Sequence, residues 1–109
     1  MATEYKVLAQ STPGAASVTD IYTVPALTQA VLSSITVCNR TALDKSFRLS
    51  IAVAGAADTI AQYIAYDMLL PSNDTVFVQI GISLGAADVV RGYVSATGVT
   101  INVFGLENS

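Results

Sequence analysis

Apolar and polar residues alternate along most of this chain, and the alternation has a period of two. In KSFRLSIAVAG, Phe47, Leu49, Ile51 and Val53 fall on one side, and Ser46, Arg48, Ser50 and Ala52 on the other. That is the pattern of a half-buried strand. QAVLSSITVCN places Val31, Ile35 and Val37 with Ser33 on one face, and Leu32 and Cys38 with Ser34 and Thr36 on the other. QYIAYDMLL aligns Ile64, Tyr66, Met68 and Leu70, and DTVFVQIGI aligns Val76, Val78 and Ile80. DVVRGYVSA sets Val90 and Val94 against Val89, Arg91 and Tyr93, while VTINVFG aligns Val99, Ile101 and Val103. EYKVLAQS and VTDIYTV supply two further strands. AGAADTIAQYIAYDMLL also has helical spacing at Ile60, Ile64 and Met68, among alanines that favour helix. The strand reading is preferred there, because the neighbouring segments are β and Asp67 leaves only one face apolar.

Between these segments lie STPGAAS, VPALT, NRTALDK, AGAADT, LPSNDT, GISLGAAD and SATGV. Each holds Gly, Pro, Asn or Asp, the residues that tight turns require. Val24 and Leu70 precede prolines and are held extended, as strand ends should be. GAAD occurs at Gly55–Asp58 and Gly85–Asp88, and GAAS at Gly14–Ser17. The spacing is unequal, so these read as shared turn chemistry and not as a repeat. The expectation is an all-β fold: a single jelly-roll-like β-sandwich of about eight short antiparallel strands. One domain spans residues 1–109, with 1–10 an N-terminal arm or edge strand. An immunoglobulin-like sandwich fits less well, since there is no Trp and one Cys. Cys38 lies in an apolar run and reads as a small core residue.

Composition adds a functional constraint. Charged residues make up 12% of the chain and hydrophobic residues 52%, against about 25% charged in ordinary soluble domains. Mean hydropathy is +0.56. A chain of 109 residues cannot enclose that much apolar surface in one core, so the excess calls for a partner or further copies of the chain. The five cations, Lys6, Arg40, Lys45, Arg48 and Arg91, are scattered, and the net charge is −3. This argues against nucleic-acid binding, which needs clustered phosphate-neutralising cations. No segment approaches about 20 uninterrupted apolar residues, so no membrane span is expected. MATEYKVLAQ does not read as a signal peptide.

Catalytic chemistry is not apparent. The chain has no His, which excludes Ser-His-Asp and Cys-His nucleophilic sites. One Cys cannot build a zinc site. GxGxxG and GxxxxGK[ST] fingerprints are absent. The carboxylates stand mostly beside turns, where Asp closes the backbone. Asn73 and Asp74 in LPSNDT form the best candidate calcium loop, but a turn-closing role is preferred. Tyr22, Tyr63, Tyr66 and Tyr93 could form a stacking platform for sugars or single-stranded nucleic acid. Tyrosine is also simply at home in strands and half-wet interfaces. The expectation is a non-enzymatic protein with no cofactor and no metal.

The segments VLAQ (Val7–Gln10), IYTVPA (Ile21–Ala26), SSITVCN (Ser33–Asn39), Tyr66–Asp67, NDT (Asn73–Thr75) and FGLE (Phe104–Glu107) resemble small structural proteins encoded in tailed-bacteriophage genomes. The resemblance spans most of the chain and its motifs are structural. It implies a virion component made in the host cytoplasm: a capsid decoration or cement protein acting as a homo-oligomer, with a trimer favoured. The alternatives are a tail fibre or adaptor piece, or a host-glycan-binding module. The implied partners are the major capsid protein or tail proteins. The expected contact residues are Tyr5, Lys6 and Val7 of the N-terminal segment, Arg40 and Leu43 of NRTALDK, and Asn73 and Asp74 of LPSNDT.

Overall fold

Among the described residues the alternating segments become nine antiparallel strands, and the turns carry the chain back and forth between two sheets. The computed structural model describes residues 3–79 and 81–109. The first sheet contains β1 (Thr3–Ser11), β9 (Val99–Asn108), β3 (Gln29–Asn39) and β6 (Thr75–Val78) in that spatial order, with β7 (Ile82–Leu84) also paired to β3. The second contains β2 (Thr19–Thr23), β8 (Val89–Val94), β4 (Lys45–Ala52) and β5 (Tyr63–Leu70). Leu32, Ile35, Ile101 and Val103 from the first sheet meet Phe47, Leu49, Val90 and Val94 from the second in one fully buried core. Each such side chain contributes about 1.5–3 kcal/mol by leaving water. The all-β sandwich expected from the alternation is the fold the chain adopts.

The corners follow the turn chemistry. At VPALT, Val24 is buried before Pro25, and Leu27 takes a left-handed φ of 58°. The Val24 backbone is tied on both sides, donating to Asp88 O at 3.0 Å and accepting from Ala87 N at 3.0 Å. In the second GAAD, the Asp88 carboxylate accepts from Gly85 N at 2.8 Å and Ala54 N at 2.9 Å, closing its own turn and pinning a neighbour. In the first, Asp58 accepts from the Tyr63 hydroxyl instead. The tetrapeptide therefore serves two different local structures.

Departures from simple alternation come from bulges. A bulge adds one residue to one strand and reverses the side-chain faces beyond it. In β3 the register with β9 shifts between Leu32 and Ser34. Ala30 and Leu32 are buried before the shift, Ile35 and Val37 after it, and Val31 is exposed. Val31 therefore does not share a face with Ile35 and Val37, and Leu32 belongs to the core. Cys38 is half-buried and sits on the outer face, paired with Thr100 and Thr75; it is not a core residue. Gly105 faces this bulge. A Cβ there would stand 2.1 Å from Val31 O and 3.0 Å from Leu32 Cα, so only glycine fits against the displaced backbone.

In β5, Leu49 pairs with Ala65 but Phe47 pairs with Met68, so Tyr66 and Asp67 together oppose Arg48. Asp67 adopts a φ of 51° to make the bulge. Ala65 and Leu70 are buried, while Ile64, Tyr66 and Met68 are exposed, against the single apolar face expected. In β4, Phe47 and Leu49 are buried as the pattern requires. A second register shift, at Leu49/Ser50, places the extra residue Ile64 on β5; in β4 itself Ser50 is buried and Ile51 half-buried. Val53 lies exposed in a 3₁₀ turn, Val53–Gly55. A second 3₁₀ turn, Ile60–Gln62, is closed by a Thr59–Gln62 capping box. These two turns are all the helix that AGAADTIAQYIAYDMLL forms. DTVFVQIGI is divided into β6 and the start of β7, which raises the strand number above eight; Ile80 lies outside the described residues. Both pieces pair β3, at Ile35–Cys38 and Ala30–Leu32, on either side of its bulge. Among the described residues, no helix is long and apolar enough to cross a membrane.

Candidate interaction surfaces

Three loops close one end of the sandwich, and buried Asn39 is their hub. Its side-chain amide donates to Leu43 O at 2.8 Å and Leu70 O at 3.2 Å. Its Oδ1 accepts from Thr41 N at 3.0 Å and Thr41 Oγ1 at 2.8 Å. Its backbone N–H donates to Asp74 O at 2.9 Å. Around it, Asn73 N donates to Thr41 O at 2.9 Å and Ser72 N to Asp44 Oδ1 at 2.9 Å. Arg40 N reaches Gly98 O at 2.9 Å, and Arg40 Nε donates to Thr100 Oγ1 at 2.8 Å. Arg40, Leu43, Asn73 and Asp74 are thereby gathered at one end. Leu43 is exposed, Asn73 takes a φ of 53°, and the Asp74 carboxylate accepts from Thr75 N at 2.8 Å. Among the described residues, no group of three or more His, Cys, Asp or Glu is placed to hold a metal ion.

Tyr5, Lys6 and Val7 lie elsewhere, on edge strand β1. Val7 pairs with Phe104, five positions along β9 from Val99 at the loop end, which is about 16 Å at strand rise. Tyr5 and Val7 point outward and are exposed. Lys6 turns the other way, 2.7 Å from Glu107 and 3.7 Å from Glu4. Glu107 also accepts a short hydrogen bond from the Tyr22 hydroxyl. The trio ties β1 and β9 of the first sheet to β2 of the second. Hydrogen bonds from Lys6 and then Tyr22 hold the Glu107 carboxyl below its ordinary range. Burial, then the Glu107 contact, pushes the Tyr22 phenol up. Tyr22 thus sits in the core and takes no part in an exposed tyrosine platform.

The strand register exposes a feature that the sequence did not locate. Residues paired across strands share a face, so the outer face of the first sheet can be read row by row. The rows are Thr3–Asn108–Gln29, Tyr5–Leu106–Val31–Ser83, Val7–Phe104–Ser34, Gln10–Asn102–Thr36–Phe77 and Thr100–Cys38–Thr75. None of these residues is Asp, Glu, Lys or Arg. Tyr5 is 82% exposed and Phe77 65%, and Val7 and Val31 are also exposed. Arg40 touches the rim, at Thr100.

The outer face of the second sheet is the opposite in character. Arg48 stands between two tyrosine rings, 4.2 Å from the centroid of Tyr66 and 4.3 Å from that of Tyr93. It grips Asp67 with two bonds, at 2.7 and 3.3 Å, and that pairing raises the guanidinium's pKa. Tyr63 meets Tyr66 edge-on with centroids 5.2 Å apart, and its hydroxyl donates to Asp58 at 2.9 Å. Arg91 binds Asp20 at 2.9 Å and the carbonyls of Ala56 and Gly55 at 2.7 and 3.2 Å. Three of the four tyrosines considered at the sequence level therefore do assemble, around an arginine. No protein-family model and no curated protein matches this chain.

Proposed function

We propose that this protein is a non-enzymatic virion structural component, a capsid decoration or cement protein that binds the head surface as a symmetric oligomer. The observation that carries the reading is the contrast between the two outer faces: one neutral and partly apolar, the other carrying ion pairs. A slab of 45 × 27 × 20 Å with one such face is suited to bury the neutral face within an oligomer and to turn the charged side towards the particle and the solvent. The strand orders β1-β9-β3-β6 and β2-β8-β4-β5 support a jelly roll, an architecture common in capsid proteins. The phage-like motifs add to this reading. The test is to compare particles with and without the protein. Cement predicts many copies per particle and heads that lose DNA at lower temperature when it is missing. A few copies at one site, or unchanged heat resistance, refutes it.

A second reading, a host-glycan-binding module, is favoured by the Tyr63–Tyr66–Arg48–Tyr93 cluster with Asp58 and Asp67. It predicts saturable binding on a glycan array that Tyr66→Ala and Tyr93→Ala abolish.

A further inference from the structure

We infer that copies of this chain meet one another through the uncharged outer face of the first sheet. This deepens the oligomer reading above by assigning its surface. The argument begins with charge. The protein carries a net −3 and has a pI near 4.4, so copies repel one another at most orientations. A contact built by rotational symmetry brings like residues together near the axis, where any charge would face its own sign. A surface that self-associates is therefore favoured where the region around the axis is free of ionised side chains. A surface for a different protein has no such need and commonly uses charge complementarity. Five successive rows across β1, β9, β3, β6 and β7 meet the self-association requirement, whereas the opposite face, with Arg48, Asp67, Arg91 and Asp20, does not.

Area agrees. Eight residue steps along β9 by four strand widths give roughly 500 Å² of projected face, comparable to the ~800 Å² of accessible surface that each partner buries in a stable interface. Tyr5 and Phe77, aromatic residues of the kind enriched at interfaces, are exposed near opposite edges of this face.

The test is light scattering on the full chain. Wild type should have two or three times the 11.3 kDa monomer mass. Phe77→Lys, and Tyr5→Lys with it, should raise the dissociation constant about tenfold or more, with the far-ultraviolet circular dichroism unchanged. Phe77 is exposed on edge strand β6, where lysine is well tolerated. Leu69→Lys, at an exposed position of β5 in the second sheet, should leave the mass unchanged. A monomeric wild type, or an oligomer that dissociates with Leu69→Lys and not with Phe77→Lys, overturns the assignment. Co-sedimentation of the same proteins with particles lacking the component tests the structural role separately. A monomer that still binds heads would refute the self-association and leave the cement reading standing.

Discussion

Gly105 provides the sharpest test of the fold, because the obstacle to its replacement is backbone. In Gly105→Ala the new Cβ would meet Val31 O at 2.1 Å and Leu32 Cα at 3.0 Å. Both atoms belong to β3, which is central in the first sheet and carries ladders to β9, β6 and β7. Relief requires β3 and β9 to separate, which lengthens hydrogen bonds worth about 1 kcal/mol each. It also disturbs Leu32, which is fully buried. Overpacking alone costs about 1–3 kcal/mol; with the ladder strain the total should reach about 3 kcal/mol or more. For a domain of this size that lowers Tm by roughly 10–25 °C. Two other glycines calibrate the result. At Gly92 a Cβ would meet the Ile21 Cδ1 tip at 2.4 Å and Ile101 Cδ1 at 3.0 Å; these are side-chain ends that can turn, so about 1–2 kcal/mol is expected. At Gly81 nothing lies within 4 Å, and alanine should be neutral or slightly stabilising. Urea unfolding followed by circular dichroism measures all three. Gly105→Ala lying within about 0.5 kcal/mol of Gly81→Ala would refute the bulge geometry.

Three further outcomes are expected. Asn39→Ala strands the buried Leu70 carbonyl and removes the acceptor of the Thr41 N–H and should cost about 2–4 kcal/mol, read as a lower urea midpoint with an unchanged m-value. Ser50 Oγ is buried without a hydrogen-bond partner among the described residues, so Ser50→Ala should stabilise by about 1 kcal/mol and raise Tm in a thermal melt. Glu107 is held below its ordinary pKa, so its contribution is present above the unfolded value of about 4.3 and is lost as pH falls through the folded value; Glu107→Gln should flatten the acid limb of a stability–pH curve. Lys6 and Tyr22 are raised, so stability should also fall as pH climbs above about 10, and Tyr22→Phe should reduce that alkaline loss.

The sequence was most legible where strands run without interruption. β8 and β9 bury Val90 and Val94, and Val99, Ile101 and Val103, as alternation requires. It misled where one residue is inserted. The Ser33–Ser34 doublet in β3 and Asp67 in an otherwise apolar β5 mark the bulges. Read through without a break, each puts half of its strand on the wrong face. The loop residues Arg40, Leu43, Asn73 and Asp74 do converge, but Asn39, which organises them, looked like an ordinary strand end. Composition announced surplus apolar surface without placing it. Placement depends on register, which joins Tyr5 to Leu106 and Val31, and Gln10 to Asn102, Thr36 and Phe77. Those residues are far apart in sequence, and no local pattern links them.

The extra residue in β1, where Val7 pairs with Phe104 but Ala9 with Val103, bears on how such a chain survives its own production. A protein with 12% charged residues has few ionised groups to spare for blocking an exposed strand edge. An open strand of nine residues would ordinarily invite growth into filaments. Here the ladder that a newcomer would extend is broken at Leu8, and Glu4 and Lys6 leave ionised groups along the part that remains. Growth through this edge is discouraged by its broken ladder and its ionised groups, which leaves the broad face to make contacts of its own.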